Sequence, residues 1–150
     1  MDKARELADS IVHRYLTLVR YQRYVSDVIR KEFEVSGRQL AVLRYLLQSS
    51  PRSVGEISAL LYVRDATTSP LLERMERDGY VTRRRCSKDN RKVLIEPTDL
   101  GRELAQRAPL GTVAQMRVRL PELPVEELES IDAALRKLSE IADVDESLLD

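Results

Sequence analysis

The sequence predicts a mainly α-helical chain that carries one small β-hairpin. Charged residues occupy 33% of its 150 positions and aromatics only 5%, a balance commoner in helical, solvent-rich proteins than in β-sandwiches. Apolar residues recur at steps of three and four through most of the chain, and only residues 80–96 turn alternating and β-branched. With 43% hydrophobic residues the chain can bury a core, as one domain or as a small domain with elements that serve it. The single cysteine excludes a disulfide framework or a cysteine-based zinc site. The opening MDKARELADS lacks the apolar centre of a signal peptide, so a cytoplasmic protein is expected. No run approaches the roughly 20 apolar residues that a membrane span needs.

Taken in order, Leu7, Ile11, Tyr15, Leu18, Gln22, Val25 and Ile29 line one face of a long first helix, which needs a partner. Ser36 and Gly37 break the pattern, and Leu40, Leu43, Leu46 and Leu47 restart it in a second helix that ends near Ser49, Ser50 and Pro51. Ser53 with Glu56 three residues on forms a capping box for a short third helix, SVGEISALL. A fourth follows closely, with Asp65 as its expected cap, Pro70 in its first turns, Leu71, Leu72 and Met75 inward and Gly79 as its stop. Residues 80–85 and 92–96 read as two strands joined by the polar residues 87–90. Pro97 ends the hairpin and Thr98 caps a fifth helix through Leu100, Leu104 and Ala108, which Pro109 and Gly111 should kink or interrupt before VAQMRVRL resumes. After Pro121 and Pro124, a last amphipathic helix carries Val125, Leu128, Ile131, Leu135, Leu138 and Ile141 on one face.

The 25 basic and 25 acidic residues cancel, but they are not mixed evenly. Residues 74–92 hold eight basic side chains against three acidic, and residues 124–150 hold nine acidic against two basic. Two short consecutive helices followed by a basic hairpin is the order of a winged helix-turn-helix. Thr67, Thr68 and Ser69 are expected to stand exposed at the start of the second of these helices. Hydroxyls there can approach base edges or phosphates without bulk, and the free N–H groups of a helix start favour a phosphate oxygen. Arg64, Arg74, Arg84, Lys88 and Arg91 supply positive charge around them, and a hairpin-tip arginine suits the negative potential of a narrow minor groove. Arg74 and Arg77 are equally suited to pairing with Glu73 or Glu76.

Residues from about 38 to 108 resemble the MarR family of bacterial transcription regulators. The likeness rests on DNR at 89–91, which matches the family's DxR wing motif, on the helix-starting Thr98 with Gly101, and on DATTSPLLERMERDGYVTR, which resembles the recognition helix and first wing strand. Pro70 gives that segment a particular likeness to the organic-hydroperoxide-sensing subgroup. The resemblance implies that Arg91 enters the minor groove and that Asp89 holds its guanidinium. It also implies a DNA-binding domain at residues 35–98, with the helix-turn-helix at about 53–77 and the wing at about 80–96, between dimerisation helices at 1–34 and 99–150. The implied protein is a ligand-responsive repressor, a homodimer on a near-palindromic double-stranded operator. Dimerisation has a second warrant, because a domain of roughly 65 residues can cover the apolar stripes of the terminal helices only in part.

Several residues leave alternatives open. Tyr15, Arg20, Tyr24, Arg44 and Tyr45 lie on helices that border a pocket in the family, and an arginine beside a phenol suits a small aromatic or acidic effector. Cys86, between Arg85 and Lys88, has the charge surroundings of a redox-sensing thiolate, but the hydroperoxide-sensing relatives carry their reactive cysteine in the first helix, where this chain has none. His13 alone makes no metal site, no cofactor motif is present, and no catalytic set occurs, which argues against an enzyme. A winged helix that docks a protein through the acidic C-terminus is a further alternative.

Overall fold

Asp2 opens the first helix by accepting a hydrogen bond from the Ala4 N–H at 3.1 Å, and α1 then runs Lys3–Phe33 before Glu34 turns left-handed. The computed structural model describes residues 2–149. Ser36, which ends the first apolar pattern, also begins the next helix. Its hydroxyl accepts from the Gln39 N–H while the Gln39 side chain accepts from the Ser36 N–H, a capping box for α2, Gly37–Gln48. Ser53 and Glu56 form the predicted box for α3, Val54–Leu61.

The fourth helix corrects one expectation. Its cap is Arg64, with no side-chain cap bond, and Asp65 is the first residue of α4, Asp65–Arg77. There the Asp65 carboxylate still faces the positive end of the helix dipole. Pro70 sits in the second turn, where its missing N–H removes one bond to Ala66 and the helix continues. Gly79 adopts φ 83°, and the N–H groups of Gly79 and Tyr80 donate to the carbonyls of Glu76 and Met75, which terminates α4 as expected.

The hairpin pairs β2, Val81–Arg85, antiparallel with β3, Val93–Pro97, in the register Arg83 to Ile95. A third strand that the sequence pattern does not predict joins it: β1, Arg52–Ser53, pairs with the other edge of β3. Two residues are too few to show an alternating pattern. Thr98 then accepts from the Gly101 N–H and donates to the Gly79 carbonyl at 2.6 Å, so one hydroxyl starts α5, Asp99–Arg107, and ties it to the end of α4. Gly101 passes so close to the backbone just before β2 that an added Cβ would collide with the Tyr80 carbonyl oxygen. The interruption at Pro109 and Gly111 is complete, and α6, Thr112–Arg119, is a separate helix. The last helix, α7, spans Val125–Ile141.

The main core, Val42, Leu43, Leu46, Ile57, Leu72, Met75, Val81 and Ile95, lies where α2, α3 and α4 meet the sheet. A smaller cluster of Ile29, Val35, Leu40 and Ala108 anchors the end of α1. Beyond it α1 is uncovered: Leu7, Ile11, Tyr15 and Leu18 are each about half exposed, and α7 buries none of its side chains. No helix among the described residues is long and apolar enough to cross a membrane.

Candidate nucleic-acid interface

Tyr62, left-handed at φ 57°, makes the turn between α3 and α4, and the Val63 N–H closes it onto the Ser58 carbonyl. The two helices are joined internally by hydroxyls. Ser58 Oγ donates to Thr68 Oγ1 at 2.8 Å, and Thr68 Oγ1 donates to the Arg64 carbonyl at 3.3 Å. Thr68 is fully buried, so the expectation that it stands exposed to DNA is corrected: it positions α4 against α3. Replacing it with valine leaves Ser58 Oγ buried without its acceptor and should lower unfolding stability by about 1–3 kcal/mol. Denaturant unfolding measures this, and Thr68→Ser, which keeps the oxygen, should recover most of the loss.

With Thr68, Leu72 and Met75 inward, the opposite ridge of α4 is set by helical geometry. Ala66, Pro70, Glu73 and Arg77, at steps of four, three and four, stand outward and are exposed. Thr67 and Ser69 flank this ridge half-buried, and Arg74 is exposed on its other side. Of these four, only Arg77 is weighed as a DNA contact from the sequence, as an alternative to pairing with Glu73 or Glu76, although the inward stripe of Leu72 and Met75 also places Ala66, Pro70 and Glu73 outward. Arg38 and Arg74 border a shallow hollow beside α4, lined also by Leu61, Val63, Thr67, Thr68, Pro70 and Leu71.

The wing is fastened to the same helix. Arg83 donates through its backbone N–H and its Nε to the two carboxylate oxygens of Glu76, each at 3.2 Å, and its Nη2 lies 3.1 Å from Oε1. Arg84 pairs across the hairpin with Glu96 at 3.2 Å, and Arg85 donates to the Asn90 carbonyl at 3.0 Å. Asp89 corrects a second expectation. Its Oδ1 accepts from the backbone N–H of Arg91 at 3.1 Å, which shapes the turn, and among the described residues no ion pair joins its carboxylate to the Arg91 guanidinium. The side chains of Arg91 and Lys88 are exposed at the tip. Arg64, at the start of α4, donates to the Ser147 carbonyl at 3.5 Å. Cys86 is half-buried beneath the loop, its N–H bonded to the Lys92 carbonyl at 2.8 Å, and its thiol is free.

Of the residues expected to line an effector pocket, Arg44 and Tyr45 have separate partners within one chain. Arg44 is half-buried, and its Nη2 donates to the carbonyls of Ala108 and Pro109 at 3.2 and 2.9 Å, at the break between α5 and α6. Burial lowers its pKa from the ordinary guanidinium value. Tyr45 lies beneath the Arg52 guanidinium, 4.4 Å from the ring centre, while Tyr15, Arg20 and Tyr24 are exposed along α1.

A family model described as the MarR family matches residues 35–93. The organic hydroperoxide resistance transcriptional regulator of Bacillus subtilis is 33% identical over 111 residues, covering 73% of each chain. The HTH-type transcriptional regulator MgrA of Staphylococcus aureus is 29% identical over 116 residues, 77% of this chain and 78% of that one. Among solved structures, the fold is similar to the transcriptional regulator BldR from Sulfolobus solfataricus, with a TM-score of 0.63 at 23% identity over 91% of this chain and 99% of that one. It is also similar to overoxidized AbfR bound to DNA, with a TM-score of 0.62 at 23% identity over 93% and 97%.

Proposed function

The chain belongs to the MarR family and is a transcription regulator of that type, and from this premise we propose that it acts as a homodimeric, effector-released repressor on a near-palindromic operator. The observation that carries the reading is the fastening of the wing to α4 through Arg83 and Glu76. It gives the exposed ridge of α4 and the cationic tip at Lys88 and Arg91 a set separation, as an element in the major groove and one in the adjacent minor groove require.

In this reading α4 lies in the major groove with Ser69 and Thr67 beside its ridge, and Arg64, Arg74 and Arg84 meet phosphates around it. Thr68 and Asp89 serve by position, one behind α4 and one behind Arg91. The uncovered apolar faces of α1 and α7 pack against those of a second copy, and the two recognition helices then lie about 34 Å apart, one turn of B-DNA. The effector is a small aromatic or acidic molecule taken between the dimerisation helices and the DNA-binding part, beside Arg20, Arg44 and the tyrosines. Arg44 supplies a route for release: an acid that draws its guanidinium away loosens its hold on the Ala108 and Pro109 carbonyls, at the junction of the two parts.

The test is a binding series with the purified protein and DNA from upstream of its own gene. Affinity should fall log-linearly with salt, by roughly a thousandfold or more from 50 to 200 mM for six or more phosphate contacts. Affinity without salt dependence, or equal for unrelated duplexes, would overturn the reading and leave a protein-docking winged helix in its place.

A further inference from the structure

Glu73 is a poor residue for a surface that only needs to attract DNA. It stands on the outer ridge of α4, between Pro70 and Arg77 and opposite the buried Leu72 and Met75 stripe, with its side chain 58% exposed. A carboxylate there is repelled by every phosphate that approaches. Nor does the fold require it as a tether. Arg83 lies 4.0 Å from Glu73, but its backbone N–H, its Nε and its Nη2 are already engaged by Glu76 at 3.1–3.2 Å. The ridge residues on its N-terminal side, Ala66 and Pro70, carry no side-chain hydrogen-bonding group. Glu73 is therefore the acceptor that the ridge presents.

We propose that Glu73 accepts a hydrogen bond from the N4 amino group of a cytosine in each operator half-site, which makes it a specificity-determining residue. The proposal rests on the DNA-binding reading above. A carboxylate offers acceptors and no donors. In the major groove guanine presents N7 and O6 and thymine presents O4, all acceptors that repel it. Adenine presents its N6 donor beside the N7 acceptor, which faces the second carboxylate oxygen. Cytosine presents a donor without that neighbour. The apolar Ala66 and Pro70 suit thymine methyl groups nearby, so the ridge reads donor and methyl positions and leaves guanine contacts to other residues.

Selection of binding sites from a randomised duplex pool, followed by affinities of wild type, Glu73→Ala and Glu73→Gln for single-base variants of the selected site at one salt concentration, tests this. Wild type should require cytosine at one symmetric pair of positions. Glu73→Ala should lose roughly 10- to 100-fold of discrimination there while binding unrelated DNA more tightly, since a negative charge has gone. Glu73→Gln should shift the preference towards adenine, which a glutamine side chain can pair through N6 and N7. Unchanged preferences in Glu73→Ala overturn the role of Glu73 alone, whereas a wild type that selects no sequence overturns the DNA-binding reading with it.

Discussion

Replacing Arg91 with alanine is expected to weaken operator binding by roughly 10- to 100-fold and to leave both the oligomeric state and the thermal stability unchanged. The side chain is exposed at the wing tip, so its removal opens no cavity and unpairs no buried group. Its contribution is realised on DNA, where a cation in a narrow minor groove meets the most negative potential of the duplex. Binding titrations beside thermal melts separate the two effects. A companion substitution tests what Asp89 does. Because Asp89 accepts from the Arg91 backbone N–H, Asp89→Asn keeps the acceptor and should retain affinity within a few-fold, while Asp89→Ala should lose more. If Asp89 instead held the guanidinium by charge, the asparagine variant would fall as far as the alanine one.

The double substitution of Ile131 and Leu135 by lysine should convert the protein to a monomer, seen by light scattering at micromolar concentration. It should also reduce operator affinity by about 10²–10⁴-fold through loss of bivalent binding. Both side chains are exposed on α7 in the single chain, Ile131 at 39% and Leu135 at 58%. On a free surface such a change alters stability by about 0.5 kcal/mol or less. Across a dimer interface the same ammonium groups face apolar side chains, at a desolvation cost of several kcal/mol per ion. A variant that remains dimeric would show that α7 does not form the interface.

Much of the site was legible in the chain because the signals are local. The capping box at Ser53, the N-cap at Thr98, the stop at Gly79 and the break at Pro109 and Gly111 each depend on residues within a few positions of one another, and all four appear where they were expected. The misses share a different cause. Three consecutive hydroxyls at 67–69 look alike from outside, and only the approach of Ser58 from α3 turns Thr68 inward. The family resemblance implies that Asp89 holds the Arg91 guanidinium, yet two residues' separation in a tight turn brings its carboxylate to the backbone N–H. Strand β1 exists only because β3 offers it an edge.

By itself the sequence determined the order and type of the helices, the two strands of the wing, the basic tip and the apolar stripes on α1 and α7. Helical periodicity, capping and turn chemistry are fixed by neighbours along the chain. Tertiary structure alone decided that Thr68 turns inward to Ser58 and that Glu76 anchors the wing to α4. It also decided that Arg44 serves the α5–α6 junction and that the stripes on α1 and α7 remain uncovered in one chain. Those outcomes depend on which donor, acceptor or apolar surface arrives from a distant segment, and a side chain that can satisfy several partners turns to the one that packing brings within reach.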